Sequence, residues 1–90
     1  MSNVLTSAVQ EQSWQAVRVA FALSDRELDV LRCLFGGQSE KEVAECLVLS
    51  PHTVHTYLRR LARKLGVRNR AALVTRVLDV LLAPAPRSVQ

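Results

Sequence analysis

The stretch SEKEVAECLVLSPHTVHTYLRRLARKLG, residues 39–66, decides the reading of this 90-residue chain. Ser39-Glu40-Lys41-Glu42 has the form of a capping box, in which the serine hydroxyl accepts from the amide three residues on and that residue's carboxylate reaches back. A short helix follows, carrying Val43, Ala44 and Leu47 and expected to stop near Leu49. Ser50-Pro51 then starts a longer helix. Ser50 is its N-cap, and Pro51 takes the first helical position, where a missing N–H costs nothing. This second helix runs to Leu65, and Gly66 followed by Val67 fits a glycine cap with its apolar contact. A short helix, a tight turn and a longer helix make the layout of a helix-turn-helix unit.

The faces of the 51–65 helix add chemistry to that layout. At about 100° per residue, Val54, Leu58, Leu61, Ala62 and Leu65 form one stripe. Opposite it fall His52, Thr56, Arg59 and Arg63, with Arg60 alongside. Thr53, His55, Tyr57 and Lys64 lie on the flanks. One side is therefore core, and the far side consists of hydrogen-bonding and cationic groups with no acid. Such a face suits the major groove of DNA, where arginine grips guanine and threonine meets a base edge or a thymine methyl. The free amides at a helix N-terminus suit a phosphate.

Outward from this pair, Ser24-Asp25-Arg26-Glu27 is another capping box, flanked by Leu23 and Leu28 as a hydrophobic staple. Leu28, Leu31, Leu34 and Phe35 continue at helical spacing until Gly36-Gly37. Asn69 caps a last helix through about Leu82. Nothing alternates with the period of a strand. The fold class is all-α: a four-helix helix-turn-helix domain over residues 23–82. Residues 1–22 form a segment expected to be helical, on Leu5, Val9, Trp14, Val17 and Phe21. The tail, 83–90, is expected to be disordered.

Charge supports a polyanionic partner. The net charge is +4. From Ser24 to Glu45 there are six acids and three bases; from Cys46 to Leu78 there are seven bases and no acid. Such asymmetry points the second half towards nucleic acid. Cys33 and Cys46 read as reduced core thiols rather than zinc ligands with His52 and His55, because the cysteines are too far apart for a zinc knuckle. No metal or other cofactor is expected. The N-terminus lacks the form of a signal peptide, and no apolar run approaches the roughly 20 residues that span a bilayer. A soluble, cytoplasmic protein without membrane contact is expected. No nucleophile–base–orienter set is visible, so an enzyme is not expected.

Residues 23–74, LSDRELDVLRCLFGGQSEKEVAECLVLSPHTVHTYLRRLARKLGVRNRAALV, resemble the LuxR-type (NarL- or GerE-like) DNA-binding domain. LSDRE, S-x-K-E-V-A, S-x-x-T-V and L-G-V-x-x-R agree in order and spacing. The resemblance implies a transcription regulator with the 51–65 helix in the major groove. His55, Thr56 and Arg59 stand where the family commonly reads bases, and His52 joins them from the face analysis. Ser39, Lys41, Thr53, Tyr57 and Lys64 stand where the family commonly touches the backbone, with Arg60 and Arg63 beside them. Two positions depart from the family pattern: the usual lysine of T-V-K is His55, and the usual histidine two residues on is Tyr57. His55 lowers the charge at a reading position.

The resemblance also implies homodimers, often paired through the last helix. That helix is more apolar than one buried stripe needs. Val74, Val77, Leu78 and Leu81 can face the core, which leaves Leu73, Val80 and Leu82 over. A homodimer through residues 70–82 is expected, with Leu73, Val77, Val80 and Leu81 at its interface. RNA polymerase is a candidate partner. Receiver or ligand-sensing domains that often precede this module need on the order of 100 residues. A stand-alone module starting at Met1 is expected to be controlled by expression level, a partner or DNA context. Two competing readings remain: a protein-interaction module docking an acidic partner, and a sigma-factor-like promoter reader.

Overall fold

Each helix of the HTH domain begins where a side chain satisfies its first free amides. The computed structural model describes residues 11–83. Helix α1 spans Glu11–Ala20, α2 Asp25–Phe35, α3 Glu40–Leu47, α4 Pro51–Leu65 and α5 Arg70–Leu81. Among the described residues every regular element is helical, so the chain is all-α, with a helix added in front of four others. Ser24 Oγ accepts from the Glu27 amide at 3.1 Å while Glu27 Oε1 accepts from the Ser24 amide at 2.8 Å. Ser39 and Glu42 repeat the arrangement at 3.1 and 2.8 Å. Ser50 Oγ accepts from the Thr53 amide at 3.1 Å, and Asn69 Oδ1 accepts from the Ala72 amide at 2.8 Å.

Helices α3 and α4 end on left-handed backbone. Gly66, at φ 70°, closes α4 and lets the Val67 amide donate to the Ala62 carbonyl at 2.9 Å. Helix α3 stops at Leu47 rather than near Leu49, because Val48 turns left-handed at φ 55° and the Leu49 amide returns to the Ala44 carbonyl. A β-branched side chain in that conformation is strained. Val48 is also 89% exposed.

The core gathers one stripe from each helix. Leu31 and Leu34 of α2, Val43 of α3, Leu61 and Leu65 of α4 and Val77 of α5 are buried together. Each such side chain contributes about 1.5–3 kcal/mol by leaving water. Helix α1 completes this core. Trp14 is fully buried and meets Phe35 edge to face, with ring centroids 5.3 Å apart. Arg32 lies 5.4 Å from the Trp14 ring centre and pairs with Glu11 at 2.8 Å. Helix α1 thereby packs on α2 and on α5. Leu5, Val9 and the tail 84–90 lie outside the described residues.

The last helix buries a wider face than its sequence-based reading gave it. Leu73, expected as surplus, is buried, as are Val77 and Leu81. Val74 and Leu78, expected to face the core, are half-buried and pack against it. Val80 lines a shallow cleft with Ala20 and Phe21 at the end of α1. The expected dimer residues Leu73, Val77 and Leu81 are thus occupied within the protomer, and Val80 adjoins α1. Leu73 is covered because it faces Leu34 of α2 and Leu58 of α4, residues distant from it in sequence.

One ion pair joins the start of α2 to the end of α4. Lys64 Nζ donates to Glu27 Oε1 at 2.6 Å and to the Ala22 carbonyl at 2.8 Å. Glu27 is 2% exposed. Burial pushes its carboxyl up, but the hydrogen bonds from Lys64 and the Ser24 amide outweigh that and hold it below the ordinary carboxylate range. A carboxylate with a lowered folded pKa stabilises the fold above its unfolded pKa, and this is lost as pH falls through the folded value.

Lys64→Met should therefore cost about 2–3 kcal/mol in urea unfolding at pH 7, less than a fully buried pair because the lysine is partly exposed. The gap from wild type should narrow as pH drops below the ordinary carboxyl value of 4.5. A loss that is small, or equal at pH 7 and pH 3, would contradict the pairing. Val48→Asn should raise stability by about 0.5–1 kcal/mol, because asparagine accepts left-handed backbone and the valine side chain buries almost nothing. Thermal unfolding checks this: the midpoint should rise by about 4 °C, and an unchanged or lower midpoint would remove the strain.

Candidate nucleic-acid interface

Helix α4 presents two chemically distinct sides. Inward, Val54, Leu61 and Leu65 are buried, with Leu58 and Ala62 half-buried beside them. Outward, His52, His55, Arg59, Arg60 and Arg63 are exposed. Ser50 and Pro51 fix where this helix starts, and its buried stripe fixes its rotation. Together they decide which side chains face out.

The hydroxyls near its N-terminus are partly engaged. Thr56 Oγ1 donates to the His52 carbonyl at 3.1 Å, which leaves its oxygen free to accept. Thr53 Oγ1 lies 2.9 Å from Ser50 Oγ. Tyr57 is half-buried and packs on the core, with the Arg60 guanidinium 5.4 Å from its ring centre. That stacking restrains Arg60 at the edge of the face while leaving its N–H groups exposed. Ser39 and Lys41 are exposed at the start of α3. Ser39 Oγ already accepts from the Glu42 amide, so its remaining capacity is as a donor. Glu40 and Glu42 share this turn, and their charges oppose an anion there.

Lys64 does not stand with the outward cations. Expected as a backbone contact, it points back to Glu27 and Ala22 because a buried carboxylate and a free carbonyl lie within its reach. Arg70 is occupied in a similar way, donating from Nη2 to the Gln38 carbonyl at 2.8 Å and to the Leu34 carbonyl at 3.3 Å. It ties the start of α5 to the end of α2.

One cation was missed by face analysis. Arg68 lies exposed in the loop after Gly66 and lines a cavity of about 220 Å³ with Arg59 and His55, floored by Leu34, Leu58 and Leu73. A helical wheel cannot place a loop residue. Its signal in the sequence was its closeness to the end of the cationic helix. Among the described residues no cluster of three or more His, Cys, Asp and Glu side chains forms a metal site. No described helix is long and apolar enough to cross a membrane.

Several bacterial regulatory proteins are similar to part of this chain. The nitrate/nitrite response regulator protein NarP of Escherichia coli is 50% identical over 50 residues, covering 56% of this chain and 23% of the relative. The "Probable transcriptional regulatory protein NarL" of Mycobacterium tuberculosis is 47% identical over 60 residues, covering 67% of this chain and 28% of the relative. The transcriptional regulatory protein MctR of Rhizobium johnstonii is 39% identical over 57 residues, covering 63% and 27%. The chain thus spans about a quarter of the length of these relatives. No solved structure matches it. The profile described as GerE, bacterial regulatory proteins, luxR family, matches residues 22–77. Capped helices, the outward cationic face of α4 and this match agree, and the chain belongs to the luxR family of bacterial regulatory proteins.

Proposed function

We propose that the chain is a sequence-specific, double-stranded DNA-binding transcription regulator that places α4 in the major groove and acts as a homodimer. The observation that carries this reading is the outward side of α4, where histidines and arginines stand exposed beside a half-buried threonine, with no acid among them. His52, His55, Thr56 and Arg59 are assigned to base edges. Arginine takes guanine in bidentate fashion, and the threonine oxygen accepts from a base amine. Thr53, Tyr57, Arg60 and Arg63 are assigned to phosphates, with Ser39 and Lys41 on the neighbouring helix. Phosphate contacts supply affinity and register; base contacts select sequence. The regulator acts in the cytoplasm and has RNA polymerase among its candidate partners.

The dimer surface is assigned to the flank of α5 that the core covers only in part. Val74 and Leu78 are half-buried there, and Leu82 is 69% exposed. Twofold pairing favours an inverted repeat with half-sites about one helical turn apart.

Selection from a random duplex pool at near-physiological salt tests the reading. Enrichment of an inverted repeat is expected, and Arg59→Ala should lose about 1–3 kcal/mol of discrimination at one base position. Absence of enrichment and of salt-sensitive retention would favour a module that docks an acidic protein. The paired Leu78→Glu and Leu82→Glu variant should remain helical and place one protomer on the selected inverted repeat at a concentration where the wild-type chain places two. An unchanged assembly mass would remove α5 from the dimer.

A further inference from the structure

The cavity beside α4 has a chemistry that DNA reading leaves unused. It occupies about 220 Å³ where α2, α4 and the loop before α5 meet. The half-buried Leu58 and Ala62, with the edges of Leu34 and Leu73, make its floor apolar. A phosphate calls for donors and positive charge, not for such a floor. The rim is cationic. Arg59 and Arg68 stand on it, both exposed, and neither pairs with a carboxylate among the described residues. His55 joins them with a ring that can donate an N–H. Arg70 closes one wall; its hydrogen bonds go to the Gln38 and Leu34 carbonyls, which leave its positive charge in place. Glu40 is the one acid in this lining among the described residues, and it forms no ion pair with these arginines. Three guanidinium groups and one carboxylate around an apolar floor suit an anion with an apolar body.

We propose that this cavity binds a small organic carboxylate whose body is one ring or a short alkyl chain, and that its occupant competes with DNA. The competition rests on the DNA-binding reading; the site itself does not. The body of the ligand lies on Leu58 and Ala62. Its carboxylate faces Arg68 and Arg59, whose planar forks match a carboxylate in bidentate fashion. Volume sets the size class. The cavity is smaller than the roughly 300–1,000 Å³ of pockets that take drug-sized ligands, so a single ring fits and a nucleotide does not. An anion seated there engages Arg59, which the major groove would otherwise use, and its charge opposes an approaching phosphate.

Phenylacetate is the probe, titrated into the free chain and followed by amide and methyl NMR shifts. Saturable shifts at Leu58, Ala62 and Leu73 are expected, with a Kd of about 0.5–5 mM for so small a ligand. Acetate lacks the ring and benzyl alcohol lacks the charge; each should bind at least about tenfold more weakly. Arg68→Ala should weaken phenylacetate about threefold to tenfold, and Glu40→Gln should tighten it about twofold. Both variants should keep the dispersed spectrum of the folded chain. Opposite effects from two exposed charges separate a binding role from damage to the fold. On the selected duplex, saturating phenylacetate should raise the apparent Kd severalfold over sodium acetate at the same concentration, which matches the ionic strength.

The site is overturned if the shifts do not saturate, if acetate or benzyl alcohol reproduces them at the same concentration, or if Glu40→Gln weakens binding. Saturation that leaves duplex affinity unchanged overturns the competition. Should the duplex selection itself fail, the DNA-binding reading falls alone, because the titration contains no DNA.

Discussion

The buried carboxylate of Glu27 sets how α4 is held. It receives the Ser24 amide at 2.8 Å and the Lys64 ammonium at 2.6 Å, and the same ammonium reaches the Ala22 carbonyl. A charge this far from water costs several kcal/mol unless such partners surround it. The arrangement is therefore restrictive: the start of α2, the turn before it and the last turn of α4 must meet at one place. The other end of α4 is fixed by the Ser50 cap and Val54. With both ends set, the roll of the helix about its axis is determined, and so is the set of side chains it presents.

This constraint divides the basic residues into two groups. Of the cations in the second half, Lys64 and Arg70 hold the fold, Arg60 lies over Tyr57, and Arg76 lies 5.9 Å from the Phe21 ring centre. Arg59, Arg63 and Arg68 remain exposed without such contacts among the described residues. The outward charge is thus smaller than a count of seven bases implies. Each phosphate neutralised contributes a slope of about 0.9 to the salt dependence of DNA affinity. On the proposed reading, a protomer with few committed arginines is modestly salt-sensitive, and its base contacts carry a larger share of selectivity.

The parts legible in the sequence were those that local chemistry decides. Ser24, Ser39, Ser50 and Asn69 each cap the helix expected of them, because a cap involves only residues three positions apart. The stripe of α4 was readable because a single core covers it. What escaped depends on contacts distant in sequence. Lys64 looks like one more cation until Glu27, 37 positions away, is placed beside it. Leu73 looks like surplus until Leu34 of α2 and Leu58 of α4 are placed beside it. The left-handed Val48 escaped because valine gives no warning of that backbone. Arg68 escaped because helical periodicity says nothing about a loop.

Helix α1 also bears on assembly. With α1 packed on α5, the proposed flank for a second copy is narrow, made among the described residues of the half-buried Val74 and Leu78 and the exposed Leu82. A contact built around three apolar side chains per protomer falls well below the roughly 1,200 Å² total typical of stable, specific interfaces. If pairing occurs through this flank, the protein alone should associate weakly, and two adjacent half-sites must bring the protomers together. Linked binding then raises the effective concentration of the second copy without new contacts. Discrimination would rest on reading both half-sites at once, so weak self-association sharpens the choice of site: a lone half-site cannot hold the pair.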